Sequence, residues 1–292
     1  MAQAEQARRR LCDAHGWPVE AIELVPVLAS GDRIVDRPLA DIGGKALWTR
    51  ELDQWLTDGR IDLAVHSAKD IETGRPNHIV IGAVLERADI RDVLIGASSI
   101  EGLPQGAVVG TSAPRRAAQL LNARPDCRVV GFRGNVDTRL ARLEAGEAHA
   151  TFLAKAGLDR LGRKGLGAVL ELTDWLPAPG QGAIVAECRS DDTASRSLLA
   201  AIDHADSRAR LLAERSLLAA LGGNCHSPVA AETSISGSEM SLRAVLFSPD
   251  GAERLERSTA FASGEHAPVE ELARELLAAA GPATRPLFSA VP

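Results

Sequence analysis

Val108-Val109-Gly110-Thr111-Ser112-Ala113-Pro114-Arg115-Arg116 is the stretch on which the fold turns. Two β-branched residues favour a short strand, and Gly110 lets the backbone turn and come close to a ligand. Thr111 and Ser112 then offer hydroxyls, and Pro114 suits the first turn of a helix that runs on through Gln119-Leu120-Leu121. Strand, polar loop and helix in direct succession build sheets with helices on their faces, expected here to be parallel. Ligands gather at the carboxyl ends of the strands in such sheets. Two arginines in a first helical turn are unfavourable for the helix dipole unless something negative lies beside them. The stretch therefore reads as an anion site, with a solvated basic turn as the plainer alternative.

The same unit recurs downstream. Phe132-Arg133-Gly134-Asn135-Val136-Asp137-Thr138-Arg139 is again strand, turn and helix, and Ala156-Gly157-Leu158-Asp159-Arg160-Leu161-Gly162 follows it. Guanidinium forks bind carboxylates bidentately, as lysine does not. Arg133, Arg139 and Arg160 are thus candidate carboxylate binders, although a surface ion pair is the ordinary fate of any one arginine. Upstream, Ile61 to His66 reads as a buried strand leading into His66-Ser67-Ala68-Lys69-Asp70. An acid beside a cation at a strand end can hold a cationic species and move a proton; the alternative is a solvated charge pair. Earlier still, residues 2–14 read as a helix and 22–28 as an apolar strand. Residues 45–56 read as an amphipathic helix with Leu47, Trp48, Leu52 and Trp55 on one face.

The last third changes character. Residues 207–221 form a long helical pattern, which Leu221-Gly222-Gly223-Asn224-Cys225-His226 terminates. The glycines stop the helix and leave an accessible loop, in which a thiol can form covalent bonds where a buried one is inert. Cys12 and Cys188 read as core cysteines, and Cys127 carries no functional reading. Residues 228–235, 241–247 and 254–261 alternate as strands and 268–280 as a helix, a small α+β unit.

At 292 residues the chain exceeds one typical domain, and its 45% hydrophobic and 25% charged residues are ordinary for a globular protein. The net charge of -6 supplies no global basic field for nucleic acid or an anionic membrane, so anion binding must come from local clusters. There is no apolar signal core and no apolar run long enough to span a bilayer. Four cysteines without metal-type spacing fit a reducing compartment and no metal site.

Taken together and in this order, these segments resemble the hydroxymethylbilane synthase (porphobilinogen deaminase) family over nearly the whole chain. The matching stretches are Gly43-Gly44-Lys45, His66 to Asp70, Gly110 to Arg116, Arg133 to Arg139, Ala156 to Gly162, Pro179-Gly180-Gln181-Gly182-Ala183, and the Gly-Gly-x-Cys loop. No single motif is decisive; their ordered co-occurrence is specific. The resemblance implies an α/β fold of two periplasmic-binding-protein-like sheet domains with a third small α+β domain. These would be residues 1–87 with 182–203, residues 88–181, and residues 204–292.

The resemblance also implies a transferase of tetrapyrrole and heme biosynthesis. Such an enzyme deaminates and polymerises four porphobilinogen units on a covalent dipyrromethane cofactor, then releases hydroxymethylbilane by hydrolysis. Cys225 would hold that cofactor through a thioether, with Lys69, Thr111, Ser112, Arg115 and Arg116 binding it. Asp70 would be catalytic, stabilising a cationic azafulvene-like intermediate. Lys45, Arg133, Arg139 and Arg160 would bind the substrate chain, whose units each carry an acetate and a propionate. A cytoplasmic monomer is implied, with porphobilinogen as substrate and neither nucleic acid nor membrane as partner.

The chain departs from the family pattern in places. Ala68 stands at a methionine position, and Thr-Ser-Ala-Pro-Arg-Arg replaces Thr-Ser-Ser-Leu-Arg-Arg, so Ala113 lacks a hydroxyl. Gly-Gly-Asn-Cys-His replaces Glu-Gly-Gly-Cys-Gln, and Met1 begins inside the family's first helix. A preceding strand with a Thr-Arg-x-Ser-like loop is expected upstream, and the chain without it is expected to be poorly stable and little active. The competing readings are an inactive paralogue and a non-catalytic small-anion-binding module. The second of these needs neither Cys225 nor Asp70.

Overall fold

The computed structural model describes residues 1–27, 46–224 and 226–288. The chain divides into two compact units, Met1–Arg87 with Ala183–Leu211, and Ala88–Gly182 with Leu212–Pro292.

The first unit is built on a three-stranded sheet in the order Ala64–Ser67, Ile184–Arg189, Ile79–Val84. The centre strand is buried along nearly all its length, which explains its apolar run Ile184-Val185-Ala186. On it packs the helix Ala2–His15, whose Leu11 joins Ala83, Ala186, Cys188 and Leu199 in one cluster while Ala7 meets Leu85 and Ile184. The helix Ala46–Thr57 contributes Leu56 against Ala64 and Ile79.

Two expectations are corrected here. All pairings in this sheet are antiparallel, because both flanking strands run one way and the later centre strand runs the other. Residues 22–27 belong to no strand: Val19–Ala21 makes a 3-10 turn, and Pro26 lacks the N–H that a ladder needs. Leu28, the end of that expected strand, lies outside the described residues.

The second unit holds two sheets. A five-stranded sheet has the order Arg128–Val130, Val108–Gly110, Ala150–Ala154, Asp92–Ile95, Ala168–Val169. The first three of these strands are parallel, as expected from strand-loop-helix succession, and their carboxyl ends therefore share one edge. The strand Asp92–Ile95 is antiparallel to its neighbour and pairs Asp92 with Ala154, so its first residue reaches that same edge. Leu94, Val109, Leu120, Phe152 and Trp175 fill the core beneath.

The smaller sheet is an antiparallel meander of Val229–Ser236, Glu239–Phe247 and Arg254–Ala262, each strand paired with the next. The helix Ala267–Ala279 packs on its last strand and buries Val269, Leu272, Ala273 and Leu276. Ala118 from the helix Pro114–Ala123, together with Leu176, joins Ala230, Val245 and Phe247 in a core common to the two sheets.

Candidate active site

The loops leaving the carboxyl edge of the five-stranded sheet carry most of the motif residues. At Gly110 an added Cβ would lie 2.4 Å from the ring of Phe132, which is fully buried, so only hydrogen fits there. Thr111 is buried; its N–H donates to the Val130 carbonyl at 2.9 Å, and its Oγ1 accepts from the Ala113 N–H at 3.2 Å. The exposed Ser112 donates its hydroxyl to the Phe132 carbonyl at 2.9 Å. The helix Pro114–Ala123 then starts without a side-chain cap at Ala113.

Arg115 and Arg116 are buried, and Asp92 is the reason. Its carboxylate is fully buried and accepts from Arg115 Nη2 at 2.8 Å and from Arg116 Nη2 at 2.6 Å. It also accepts from the indole N–H of Trp175 at 2.9 Å and from Gln181 Nε2 at 2.8 Å. Trp175 stacks on Phe152 at 4.7 Å between ring centroids, which fixes the indole donor. Burial alone would raise the Asp92 pKa; the two guanidiniums and the donated hydrogen bonds outweigh it and hold the carboxyl well below the usual range.

The remaining donors of the two arginines go largely to backbone. Arg115 Nη1 donates to the Leu176 carbonyl at 2.8 Å and Arg116 Nη1 to the Phe152 carbonyl at 3.0 Å. Arg115 Nε is buried without a hydrogen-bond partner among the described residues. Two guanidiniums thus meet one carboxylate, which leaves a surplus positive charge and an unused donor in a desolvated place.

The other predicted arginines leave from the same edge. Asn135 caps the helix Val136–Glu144 by accepting from the Thr138 N–H at 2.9 Å, and half-buried Arg139 donates Nε to the Gly134 carbonyl at 3.0 Å. Arg133, one residue before that turn, is half-buried. Arg160, at the end of the helix Lys155–Arg160, donates Nη2 to the Gly182 carbonyl at 3.0 Å, and burial pushes its pKa down. It stays cationic nonetheless, as guanidinium does in proteins.

The first unit supplies the other motif. The strand Ala64–Ser67 runs into a 3-10 turn, Ala68–Asp70. Ala68 is buried beside Ile71, Val84 and Val185, and its N–H donates to the Ala183 carbonyl at 3.0 Å, while Lys69 and Asp70 are half-buried. Beneath them the fully buried Glu187 accepts from Arg75 at 2.8 and 2.9 Å, and Arg75 also pairs with Asp53. His66 Nε2 lies 3.4 Å from Glu187; burial lowers the His66 pKa, against the pull of that carboxylate.

One sheet edge of the second unit therefore brings together Thr111, Ser112, Arg115, Arg116, Arg133, Arg139 and Arg160. Lys69 and Asp70 are carried by the first unit, and Lys45 and Cys225 lie outside the described residues. Sequence reasoning missed Asp92, Trp175, Glu187, Arg75 and Asp53. For Asp92 there was a signal, since two arginines at a helix start call for a negative partner.

Known proteins agree with the motif order. A family profile described as porphobilinogen deaminase, dipyromethane cofactor binding domain, matches residues 1–197, and the corresponding C-terminal domain profile matches residues 209–278. A porphobilinogen deaminase of Sphingopyxis alaskensis is 53% identical, with 99% of this chain and 93% of the relative covered. One of Paracoccus denitrificans is 49% identical over 87% of this chain and 82% of its own length. One of Nitrobacter hamburgensis is 43% identical, with 99% and 93% covered.

Among solved structures, the periplasmic VFT2 domain of Bordetella pertussis BvgS is similar at 17% identity and a TM-score of 0.40, over 74% of this chain and 82% of that one. A putative periplasmic sulfonate-binding protein of Methylobacillus flagellatus is similar at 15% identity and a TM-score of 0.39, over 72% and 61%. With two domain profiles and full-length relatives in agreement, this chain belongs to the porphobilinogen deaminase family.

Proposed function

We propose that this chain is a hydroxymethylbilane synthase. It joins four porphobilinogen units head to tail with loss of one ammonia each, and water then frees the linear tetrapyrrole hydroxymethylbilane. The observation that carries this reading is the sheet edge where Arg115 and Arg116 share the single carboxylate of Asp92 and Arg115 Nε has no hydrogen-bond partner among the described residues. A solvated basic turn would need no such built receptor. Family membership over nearly the full chain supports the same reading.

A dipyrromethane, with acetate and propionate groups on both rings, fits these donors. Cys225 would hold it covalently, and Lys69, Thr111, Ser112, Arg115 and Arg116 would bind it. When bound, this group supplies the free pyrrole end to which substrate units are added. Asp70 accepts pyrrole N–H groups, offsets the positive charge that develops as ammonia leaves, and moves the proton. Lys45, Arg133, Arg139 and Arg160 take the substrate carboxylates and hold the reacting units in place. Ala113 adds no hydroxyl to this set.

The reading extends to three domains, with the two sheets of the second unit as separate ones, and to a cytoplasmic monomer with no nucleic-acid or membrane partner. The acidic net charge supports the last point. Incubating the purified protein with porphobilinogen tests the proposal. The expected result is substrate loss with one ammonia per unit consumed, and porphyrin after acid oxidation of the product. A folded protein that binds porphobilinogen without consuming it would overturn the enzymatic reading.

A further inference from the structure

We propose that His66 is a positioning residue for Asp70: it must stay uncharged for that carboxylate to act at full strength, and it thereby sets the acid limit of turnover. The inference rests on Asp70 being catalytic. The strand Ala64–Ser67 carries His66 and runs straight into the turn Ala68–Asp70. His66 is 9% exposed and pairs across the ladder with Val185. Glu187, two residues further along that partner strand, is its diagonal neighbour on the same face of the sheet. Glu187 Oε2 lies 3.4 Å from His66 Nε2, yet Nε2 makes no hydrogen bond among the described residues.

That carboxylate is held from the other side. Arg75 donates Nε and Nη2 to the two oxygens of Glu187 at 2.9 and 2.8 Å, and Nη1 to Asp53 at 3.1 Å. Two carboxylates thus share one guanidinium, and the cluster carries one negative charge in excess. A proton on His66 would meet a counter-charge there but no water, and the lost hydration outweighs the attraction: burial holds the imidazole pKa below its ordinary value. The charged groups that bear most on the ring come from each element around it. They are Glu187 from the centre strand, Arg75 from the segment after the turn, Asp53 from the helix Ala46–Thr57, and Asp70 itself. Coupling between two ionisable groups is reciprocal. An imidazolium at residue 66 stabilises the Asp70 carboxylate, and by the same amount weakens its hold on a cation in the reaction.

The test uses the full-length protein carrying its cofactor, with two readouts. The first needs no variant: deuterium exchange at the imidazole C2 position, followed by peptide mass against pH, reports the ionisation of His66 in the wild type. That ionisation should lie below the ordinary imidazole value of about 6.5. The second is turnover of saturating porphobilinogen by wild type and by His66→Gln, which is uncharged at every pH. Ionisations common to both proteins cancel in the ratio of the two rates. The ratio, wild type over variant, should be constant above about pH 7 and fall about tenfold through the His66 ionisation, the effect of a charge interaction worth roughly one pKa unit.

A C2 ionisation at or above the ordinary value would overturn the inference whatever the variant does. A ratio that stays flat with pH in folded His66→Gln would also overturn it, and a flat but altered ratio would reduce His66 to a packing role. If His66→Gln does not fold, the wild type decides alone: turnover that keeps its neutral value through the C2 ionisation sinks the idea. Asp70→Asn separates the premise from the inference. Near-normal turnover in that variant removes the catalytic role of Asp70, and the inference fails with it.

Discussion

Asp92 turns what would be an electrostatic fault into a site. Arg115 and Arg116 lie where a helix dipole disfavours cations, and they are buried as well; one carboxylate offsets one of the two charges and leaves the other for an anion. The sequence does not announce this, because Asp92 stands 23 residues before Arg115 and reaches it only through the antiparallel pairing with Ala154. Asp92→Asn should leave two guanidiniums without their counter-charge, at a cost of about 3–5 kcal/mol in denaturant unfolding. The sign with pH follows from a folded pKa held below the unfolded one of about 3.9. The stabilisation is complete above that unfolded value and is lost only as pH falls through the lower folded value. The difference in stability between wild type and Asp92→Asn should therefore be constant from about pH 7 to 5 and shrink only below about pH 4. Asp70 differs in being half-buried at a turn rather than sealed in a core. Asp70→Asn should keep the fold and lower turnover about a hundredfold or more; near-normal turnover would make the carboxylate structural.

At the scale of elements, local rules carried far where the chain obeys them locally. Strand, glycine, hydroxyls, proline and helix at residues 108–123 formed as read, and so did the turn into a helix after Arg133, whose cap at Asn135 the sequence reading did not name. Where pairing partners come from distant segments, the sequence was silent. The strand Ile184–Arg189 runs between two earlier strands and makes that sheet antiparallel, which no local pattern specifies. Gly110 shows how tightly neighbouring motifs are joined, since its missing side chain is the space that Phe132 fills. Gly110→Ala should force that ring aside and lower stability by about 1–3 kcal/mol in thermal or denaturant unfolding. An unchanged melting temperature would mean that the ring has room to move. The arginines of the next loop face a different expectation. Arg133→Leu, in the loop, or Arg139→Leu, in the first turn of the helix Val136–Glu144, should leave the melting temperature near wild type, as half-buried positions, yet slow growth of the carboxylate-rich product chain. Unfolding as the sole defect would mark them instead as structural ion-pair partners.

Across the whole molecule, the ordered motifs carried more information than any one of them, and two cysteine environments decide the last prediction. Cys12, Cys127 and Cys188 are buried, and burial raises the thiol pKa of both Cys127 and Cys188. A raised pKa leaves little thiolate at neutral pH, and thiolate is the nucleophile. The glycines before Cys225, Gly222 and Gly223, end the preceding helix, and Cys225 itself lies outside the described residues. If it forms the thioether, active protein should exceed its chain mass by one dipyrromethane, measured on the intact protein. Cys225→Ala should abolish that increment together with porphobilinogen consumption, since alanine offers no nucleophile. Cys127→Ala and Cys188→Ala should keep the increment even if packing losses lower stability. An active protein at bare chain mass would refute the covalent attachment. An increment that survives Cys225→Ala but disappears with one of the buried cysteines would move the attachment point into a core that must open to receive it.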